Sequence, residues 1–353
     1  MALPFLSSST KRLDQIIGID LGARTTKAVH LQRKGTGLSL VGYALQDAPA
    51  HEKGMSPQLL GEHLGAISQA LGSRTKQVVL AVGVGDSVVR HAELPMLPVG
   101  DMRIMLKFNS KNYLQQDLPD HVFDCFIIPP RASAKQEPLK AGQKCTVLVG
   151  AARRQLIEDL QAAAKAAGLV PEQIVPSLIG LPNAFELAKQ DVFSKEVVAL
   201  VDIGFKNSSI SILLNGELTL SRVVGIGGDR LTSGVAEALG VSYAEAEGIK
   251  VGLPDEVQST MVTLLAPLGR ELRASIDFFE HQQDKPVTQV FVSGGSARSD
   301  YIIQILQTEL MVPCASWNPT GFLSMVLPPQ QMGEVEQIAP QLTVAIGAAL
   351  AAL

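Results

Sequence analysis

From Ile16 the chain alternates short apolar runs with glycine-bearing turns, and each run predicts an element. IIGID, TKAVHLQRK and, after the Lys34-Gly35-Thr36-Gly37 turn, GLSLVGYAL read as three successive antiparallel strands. Ser56 to Leu71 places apolar residues at helical spacing behind a Ser-Pro start, and QVVLAVGV reads as a short buried strand. Residues 86 to 150 change character. Strands near SVVRHAEL and HVFDCFIIPP flank a helix near DMRIMLKFNSKNYLQ, and Ala134 to Gly142 has the composition of an exposed hairpin tip. CTVLVGAA then resumes a buried strand, and RRQLIEDLQAAAKAAG predicts an amphipathic helix ending at Gly168.

The opening pattern then returns. VVALVDIGFKNSSISILL is followed by Asn215-Gly216, a strong hairpin turn, and by ELTLSRVVGIGG. Set beside IIGIDLGARTTKAVHL, it repeats the order apolar strand, Asp-x-Gly, polar stretch, apolar strand, about half a chain later. Asp and Gly are common turn residues, so one such hairpin is ordinary. Two with matching surroundings predict an internal duplication of a unit the size of a lobe.

Composition narrows the classes. At 353 residues the chain is long enough for two domains or one bilobed body. A net charge of −4 with 18% charged residues leaves no basic excess to bind nucleic acid. Cys125, Cys145 and Cys314 form no metal-ligand spacing and read as reduced structural thiols. The start, residues 1–12, reads as a short disordered leader, and no apolar run approaches the roughly 20 residues of a membrane span.

The duplicated turn has a chemical reading. Gly22 and Gly204 let backbone N–H groups approach a phosphate closely, and the hydroxyls of Thr25, Thr26, Ser208 and Ser209 add donors. Asp20 and Asp202 would repel phosphate but suit Mg²⁺, most simply through water, because that ion keeps much of its hydration shell. A third element, VFVSGGSA leading into SDYIIQILQTELM, is a strand-to-glycine-to-helix junction whose Gly294, Gly295 and Ser296 leave room for a base or ribose. A fourth, GVSYAEAEGIKVG, puts Glu247 and Lys250 on one helix face.

In this order and spacing the four elements resemble the nucleotide-binding fold of actin, the heat-shock 70 chaperones and sugar kinases. The resemblance implies an α/β, actin-like bilobed fold of two duplicated mixed-sheet, ribonuclease H-like lobes. IDLGARTTK then resembles the first phosphate loop, with Gly22, Ala23, Arg24, Thr25 and Lys27, and VDIGFKNSS the second, with Gly204, Asn207 and Ser208. SGGSA resembles the adenosine motif, Glu247 and Lys250 the ribose-contacting pair, and VAIGAALAAL the second connector between lobes.

Within this superfamily the chain resembles the PilM family of type IV pilus assembly proteins over nearly its full length. RHAELPMLP leading to KFNSKNYLQQDLP, then GGDRLTSGVAEALGVSYAEAEGIK, LGRELRASIDFFEHQ and APQLTVAIGAALAAL carry that likeness. FtsA, a relative with an insert in the same place, ends in a membrane-binding amphipathic helix, whereas this sequence stops at Leu353. The resemblance implies lobe I at 13–195, with an inserted FtsA/PilM-type subdomain at about 86–150 and completed by the helix 339–353, and lobe II at 196–338. It also implies ATP or ADP with Mg²⁺ in the cleft, a cytoplasmic position at the inner membrane, and no direct membrane contact. The partners it implies are the N-terminal cytoplasmic tail of an inner-membrane PilN-like protein and a pilus motor ATPase.

The chain departs from the superfamily at two positions that bear on chemistry. Ala23 stands where the first loop usually carries Ser or Thr, followed by an unusual Arg24. Val175-Pro176 stands where the chaperones have a Glu-Pro pair that positions the attacking water. Lys27 stands where actin has a phosphate-contacting lysine. The departures favour a nucleotide-binding scaffold with weak or no hydrolysis. The alternatives are an active ATPase or small-molecule kinase of the same fold, or an FtsA-like division protein.

Overall fold

A computed structural model describes residues 6–7, 13–49, 56–129, 143–252 and 255–353. The expected hairpin tip at 134–142 lies outside these residues, as does the expected leader except for Leu6–Ser7. Those two residues form an edge strand pairing with Ile174 and Gln173 where the sequence reading expects disorder.

The first lobe is a seven-stranded mixed sheet. Its strands run, edge to edge, Leu6–Ser7, Val170–Pro176, Gln77–Val82, Gln15–Leu21, Thr25–Lys34, Gly37–Asp47 and Ser324–Met325. The three predicted antiparallel strands are present, with Asp20 opposite Lys27 in the register of the first hairpin. Period-two alternation separates the two faces of the opening strand. Ile17 and Ile19 face the helices Pro57–Leu71 and Arg154–Ala166, and Ile16 faces the middle of the molecule.

The second lobe repeats the hairpin in a five-stranded sheet ordered Glu217–Val224, Ser208–Leu214, Val197–Ile203, Gln289–Gly294 and Cys314–Ser316. Here Val197, Ala199, Val201 and Ile203 point to the outer helices, and Val198 and Leu200 point inward. The long helix Asp255–Gln283 covers the outer face with Met261, Leu265, Leu268, Leu272, Ile276 and Phe279, all 1% exposed or less. Their spacing of three and four is an amphipathic stripe, and each such side chain contributes roughly 1.5–3 kcal/mol by leaving water.

Two helices fill the space between the sheets. Ser177–Ala188 enters directly from the strand Val170–Pro176, and Thr343–Leu350 crosses it near the C-terminus. The crossing depends on backbone contact. A Cβ on Gly180 would lie 2.8 Å from the Val344 carbonyl oxygen, and Asn183 Nδ2 donates to the Gly347 carbonyl at 3.1 Å. Gly18 on the central strand admits the same helix, with the Ala345 carbonyl 2.2 Å from where a Cβ would sit. Phe185 then packs tilted against Phe291 and edge-on against Trp317 of the second half, with centroids at 4.8 and 5.2 Å.

The inserted subdomain has its own three-stranded sheet, with Lys144–Arg153 between Ser87–Pro95 and His121–Ile127, and the helix Val99–Leu114. Leu94, Met102, Leu106, Phe123, Val147 and Val149 form its separate core. Its first strand also reaches the second lobe, where His91 Nε2 lies 2.7 Å from the Leu218 carbonyl oxygen. The strand Ser324–Met325, inside the stretch expected for the second lobe, instead pairs parallel with Ser39 and Leu40 of the first. Gln331 continues that attachment by donating to the Tyr43 carbonyl at 3.0 Å.

Candidate nucleotide site

The two Asp-x-Gly turns meet across the cleft between the lobes. Asp20 is next to last in the strand Gln15–Leu21 and is 7% exposed, and the hairpin register brings Lys27 opposite it with Nζ 2.9 Å from Asp20 Oδ2. In the second hairpin Ser209 takes the place opposite Asp202. Lys27 pairs with Asp20 alone, and the charge of Asp202 adds to the stabilisation of its ammonium. Burial alone would pull Lys27 down, yet the charge and hydrogen bond of Asp20, with the charge of Asp202, leave it raised. Asp202 is pushed up to about 6, first by burial and then by Asp20, against the opposing pull of Lys27 and of Ser293, whose hydroxyl donates to Oδ1 at 3.3 Å.

Glycine makes room at this point. Gly294 ends its strand at φ 90°, and a Cβ there would lie 2.4 Å from the Ile203 carbonyl and 2.9 Å from Asp202 Oδ1. Gly22 lies beside Lys27, with a hypothetical Cβ 2.6 Å from Nζ. Asn207 faces the first lobe, its Nδ2 3.1 Å from where a Cβ of Gly85 would sit. Gly204 closes the second turn by donating to the Asn207 carbonyl at 3.1 Å. Gly295 and Ser296 begin the 3₁₀ turn Gly295–Arg298, and the Ser296 hydroxyl stands next to Gly228, which is also near Lys250 Nζ.

The hydroxyls expected to donate to phosphate are unequally placed. Thr25 is half-buried at the start of its strand. Thr26 lies inside the lobe at 2.9 Å from His63 Nε2, and Ser208 donates to the Ile226 carbonyl at 2.6 Å. Ser209 is buried in the sheet. Ala23 and Arg24 are exposed on the loop.

Glu247 and Lys250 share a face of the helix Tyr243–Gly252 and pair at 2.8 Å. Thr232, on the helix Gly228–Leu239, joins them: its hydroxyl donates to Glu247 and accepts from Lys250 at 2.8 Å. Burial opposes the charge of Glu247, but Lys250, Thr232 and Arg24 together hold it below the usual carboxylate range. Arg24 makes its contact from the other lobe, with Nη1 3.3 Å from Glu247 Oε2 and its guanidinium 5.4 Å from the centre of the Phe205 ring.

Thr232, Phe205 and Gly85 were not foreseen as site residues. Thr232 follows the glycine pair of GIGGDRLTSG by one helical turn, a signal present in the sequence. Phe205 and Gly85 carried none, because their roles arise only when the lobes meet.

The donor set suits a hydrated dication. Among the described residues no three His, Cys, Asp or Glu side chains gather to hold a metal directly. Two carboxylates, Asp20 and Asp202, suit an ion that keeps most of its water.

Two duplicated lobes around this cleft define a protein of the actin-like ATPase fold. The chain superposes on the PilM–PilN type IV pilus biogenesis complex with a TM-score of 0.82 at 23% identity, covering 96% of this chain and 98% of that one. The ethanolamine utilization protein EutJ from Carboxydothermus hydrogenoformans matches with a TM-score of 0.55 at 16% identity, over 98% and 92% of the two chains. MreB5 of Spiroplasma citri, solved with ADP bound, matches with a TM-score of 0.52 at 11% identity, over 87% and 92%. In sequence, residues 18–353 match the family model of the type IV pilus assembly protein PilM, and the chain belongs to that family. It is also 28% identical over 130 residues to the cell division protein FtsA of Bacillus subtilis (strain 168). That match spans 36% of this chain and 27% of FtsA.

Proposed function

We propose that the chain is a nucleotide-holding scaffold of a type IV pilus-like assembly machine, positioned in the cytoplasm at the inner membrane. ATP or ADP with Mg²⁺ would bind between the lobes. The observation that carries this reading is the convergence of Asp20, Lys27 and Asp202 from the two duplicated hairpins on one glycine-lined point. Asp20 and Asp202 would hold the hydrated ion, Lys27 and the loop at Gly22 to Thr25 the phosphates, and Glu247, Lys250, Gly294, Gly295 and Ser296 the nucleoside. The chemistry Mg²⁺ would supply there is neutralisation of phosphate charge, and Lys27 would exchange its pairing with Asp20 for the phosphates. MreB5 of Spiroplasma citri, solved bound to ADP, supports nucleotide binding by a protein of this fold.

The scaffold role follows from what surrounds the cleft. Val175, next to last in the strand that leads into the inner helix and level with Asp20 across the sheet, is 1% exposed and offers no polar group to orient a water. The inserted subdomain would present the surface on which the N-terminal cytoplasmic tail of a PilN-like inner-membrane protein docks. The solved PilM–PilN complex supports such a partner. A pilus motor ATPase is the further partner of this reading. No helix among the described residues is long and apolar enough to cross a membrane.

Mass spectrometry of small molecules released from the purified, denatured protein tests the nucleotide half of this reading. ATP or ADP at near-stoichiometric yield is expected. If none is released, and none is taken up by the folded protein at millimolar concentration, the reading fails.

A further inference from the structure

We propose that Arg24 is a clasp between the lobes which lets go of Glu247 when a ribose takes that carboxylate, and whose freed guanidinium then turns to the phosphates. This rests on the nucleotide-site reading above and adds to it a coupling between the two ends of the ligand.

The geometry is specific to Arg24. It projects from the first-lobe turn between the strands Gln15–Leu21 and Thr25–Lys34, yet its side chain contacts Glu247 and the Phe205 ring, both in the second lobe. Asp229 is near enough to feel its charge but is already held by Lys206 at 2.6 Å and Tyr243 at 2.8 Å. Glu247 is the carboxylate with a donor to spare. If Arg24 leaves, Lys250 and Thr232 still satisfy it, so no bare buried charge results. Arg24 itself is half-exposed, with its side chain 41% accessible, and such an ion pair contributes little net stability. The contact is therefore cheap to exchange.

Release would return Arg24 to solvent one residue from Ala23 and two from Gly22, on the loop that would face the phosphates. A guanidinium is well matched to phosphate oxygens. A ligand that displaces Arg24 from Glu247 through its ribose hydroxyls would thus recruit it at its other end. By linkage the reverse holds as well: a phosphate that attracts Arg24 frees Glu247 for the ribose.

The test uses the full chain with Cys314→Ser and spin labels at Gln69→Cys and Gln304→Cys, exposed positions on a helix of each lobe. Distances between the labels are measured with and without ADP–Mg²⁺. Arg24→Ala and Glu247→Gln should each broaden the nucleotide-free distribution toward longer distances while far-ultraviolet circular dichroism stays unchanged. A fluorescent ATP analogue should associate about two- to fivefold faster with Arg24→Ala than with wild type, the range expected from losing an exposed ion pair. Removing the ribose hydroxyls, as 2′,3′-dideoxy-ATP, should weaken binding more in wild type than in Arg24→Ala. An unchanged distance distribution in both variants would overturn the clasp. Equal dideoxy penalties in the two proteins would overturn the hand-over. If the distribution broadens but wild type binds no nucleotide, the clasp stands and the nucleotide-site reading fails.

Discussion

The carbonyl oxygen of Gly180 lies 1.8 Å from the position a Cβ on Gly347 would occupy, so the two inner helices cross at backbone contact. Neither helix can retreat, because each is packed against a sheet on its other side. Gly347→Ala is therefore expected to destabilise the fold by about 3 kcal/mol or more, at the severe end of overpacking. Gly65→Ala is the contrast: it lies within the helix Pro57–Leu71, and an added Cβ would meet nothing within 4 Å. It should stabilise by roughly 0.5–1 kcal/mol through helix propensity. Urea denaturation of both variants checks the pair, and similar midpoints would contradict the crossing.

Asp202 predicts a pH dependence of definite sign. Its folded-state value is raised from 3.8 to about 6, so the folded protein holds the proton more tightly than the unfolded chain. Its contribution to stability is then present in acid and is lost as pH rises from about 4 through 6. Asp202→Asn should accordingly stabilise the protein more at pH 7.5 than at pH 4.5 in urea titrations. His91 works the other way. Burial lowers it despite the Leu218 carbonyl and Glu217, so its contribution is lost as pH falls below about 6.5, its ordinary value. His91→Gln should lessen the acid-side loss that Asp202→Asn leaves in place.

Much of this was legible in the sequence because it is local. The duplicated Asp-x-Gly hairpins, the strand entering Ser293-Gly294 and the Glu247–Lys250 helix face each follow from periodicity and spacing within a few residues. The actin-like fold followed from the resemblance those motifs carry as a set, and the PilM family from the likeness of longer stretches such as GGDRLTSGVAEALGVSYAEAEGIK and LGRELRASIDFFEHQ. The strand Val170–Pro176 was not legible, because two prolines and a bulge at Glu172 hide its alternation. Ser324–Met325 is two residues long and owes its place in the first sheet to pairing with Ser39 and Leu40. Ser208 and Thr26 matched the expected residue types at phosphate loops. Their hydroxyls, however, bond to Ile226 and His63, which depends on side-chain direction in the folded hairpin. Arg24 stood out as unusual, but its partner on the opposite lobe could be known only from the assembled cleft.

Turnover should be slow. Ala23 offers no hydroxyl in the first loop, and a hydrogen bond to a charged group is typically worth about 1.5–3 kcal/mol. Val175 leaves the attacking water without a polar anchor. Lys27 would contact phosphate in ground and transition states alike, which does not raise the chemical rate. Steady-state hydrolysis is expected well below about 1 s⁻¹, the lower end of ordinary enzymes. Ala23→Ser should tighten ATP more than ADP. A faster rate that disappears in Asp20→Ala would show a working ATPase instead.

The inserted subdomain should carry the partner. Replacing residues 86–150 by a short linker is expected to abolish binding of a synthetic PilN-type cytoplasmic tail, because an extended peptide adds most readily at a free strand edge or beside apolar pockets. The three-stranded sheet offers Ser87–Pro95 and His121–Ile127 as its outer strands. Undiminished capture of the tail by the shortened chain, with nucleotide affinity unchanged, would place the docking surface elsewhere.

The central claim is that Asp20, Lys27 and Asp202 form the heart of a Mg²⁺–nucleotide site. Isothermal titration of ATP into wild type and Asp202→Ala, each with Mg²⁺ and with a chelator, tests it most directly. Wild type should bind tightly with Mg²⁺ and weakly with the chelator, and Asp202→Ala should lose that difference while still folding. No heat of binding in wild type at millimolar ATP, or a Mg²⁺ dependence that Asp202→Ala leaves intact, would contradict it.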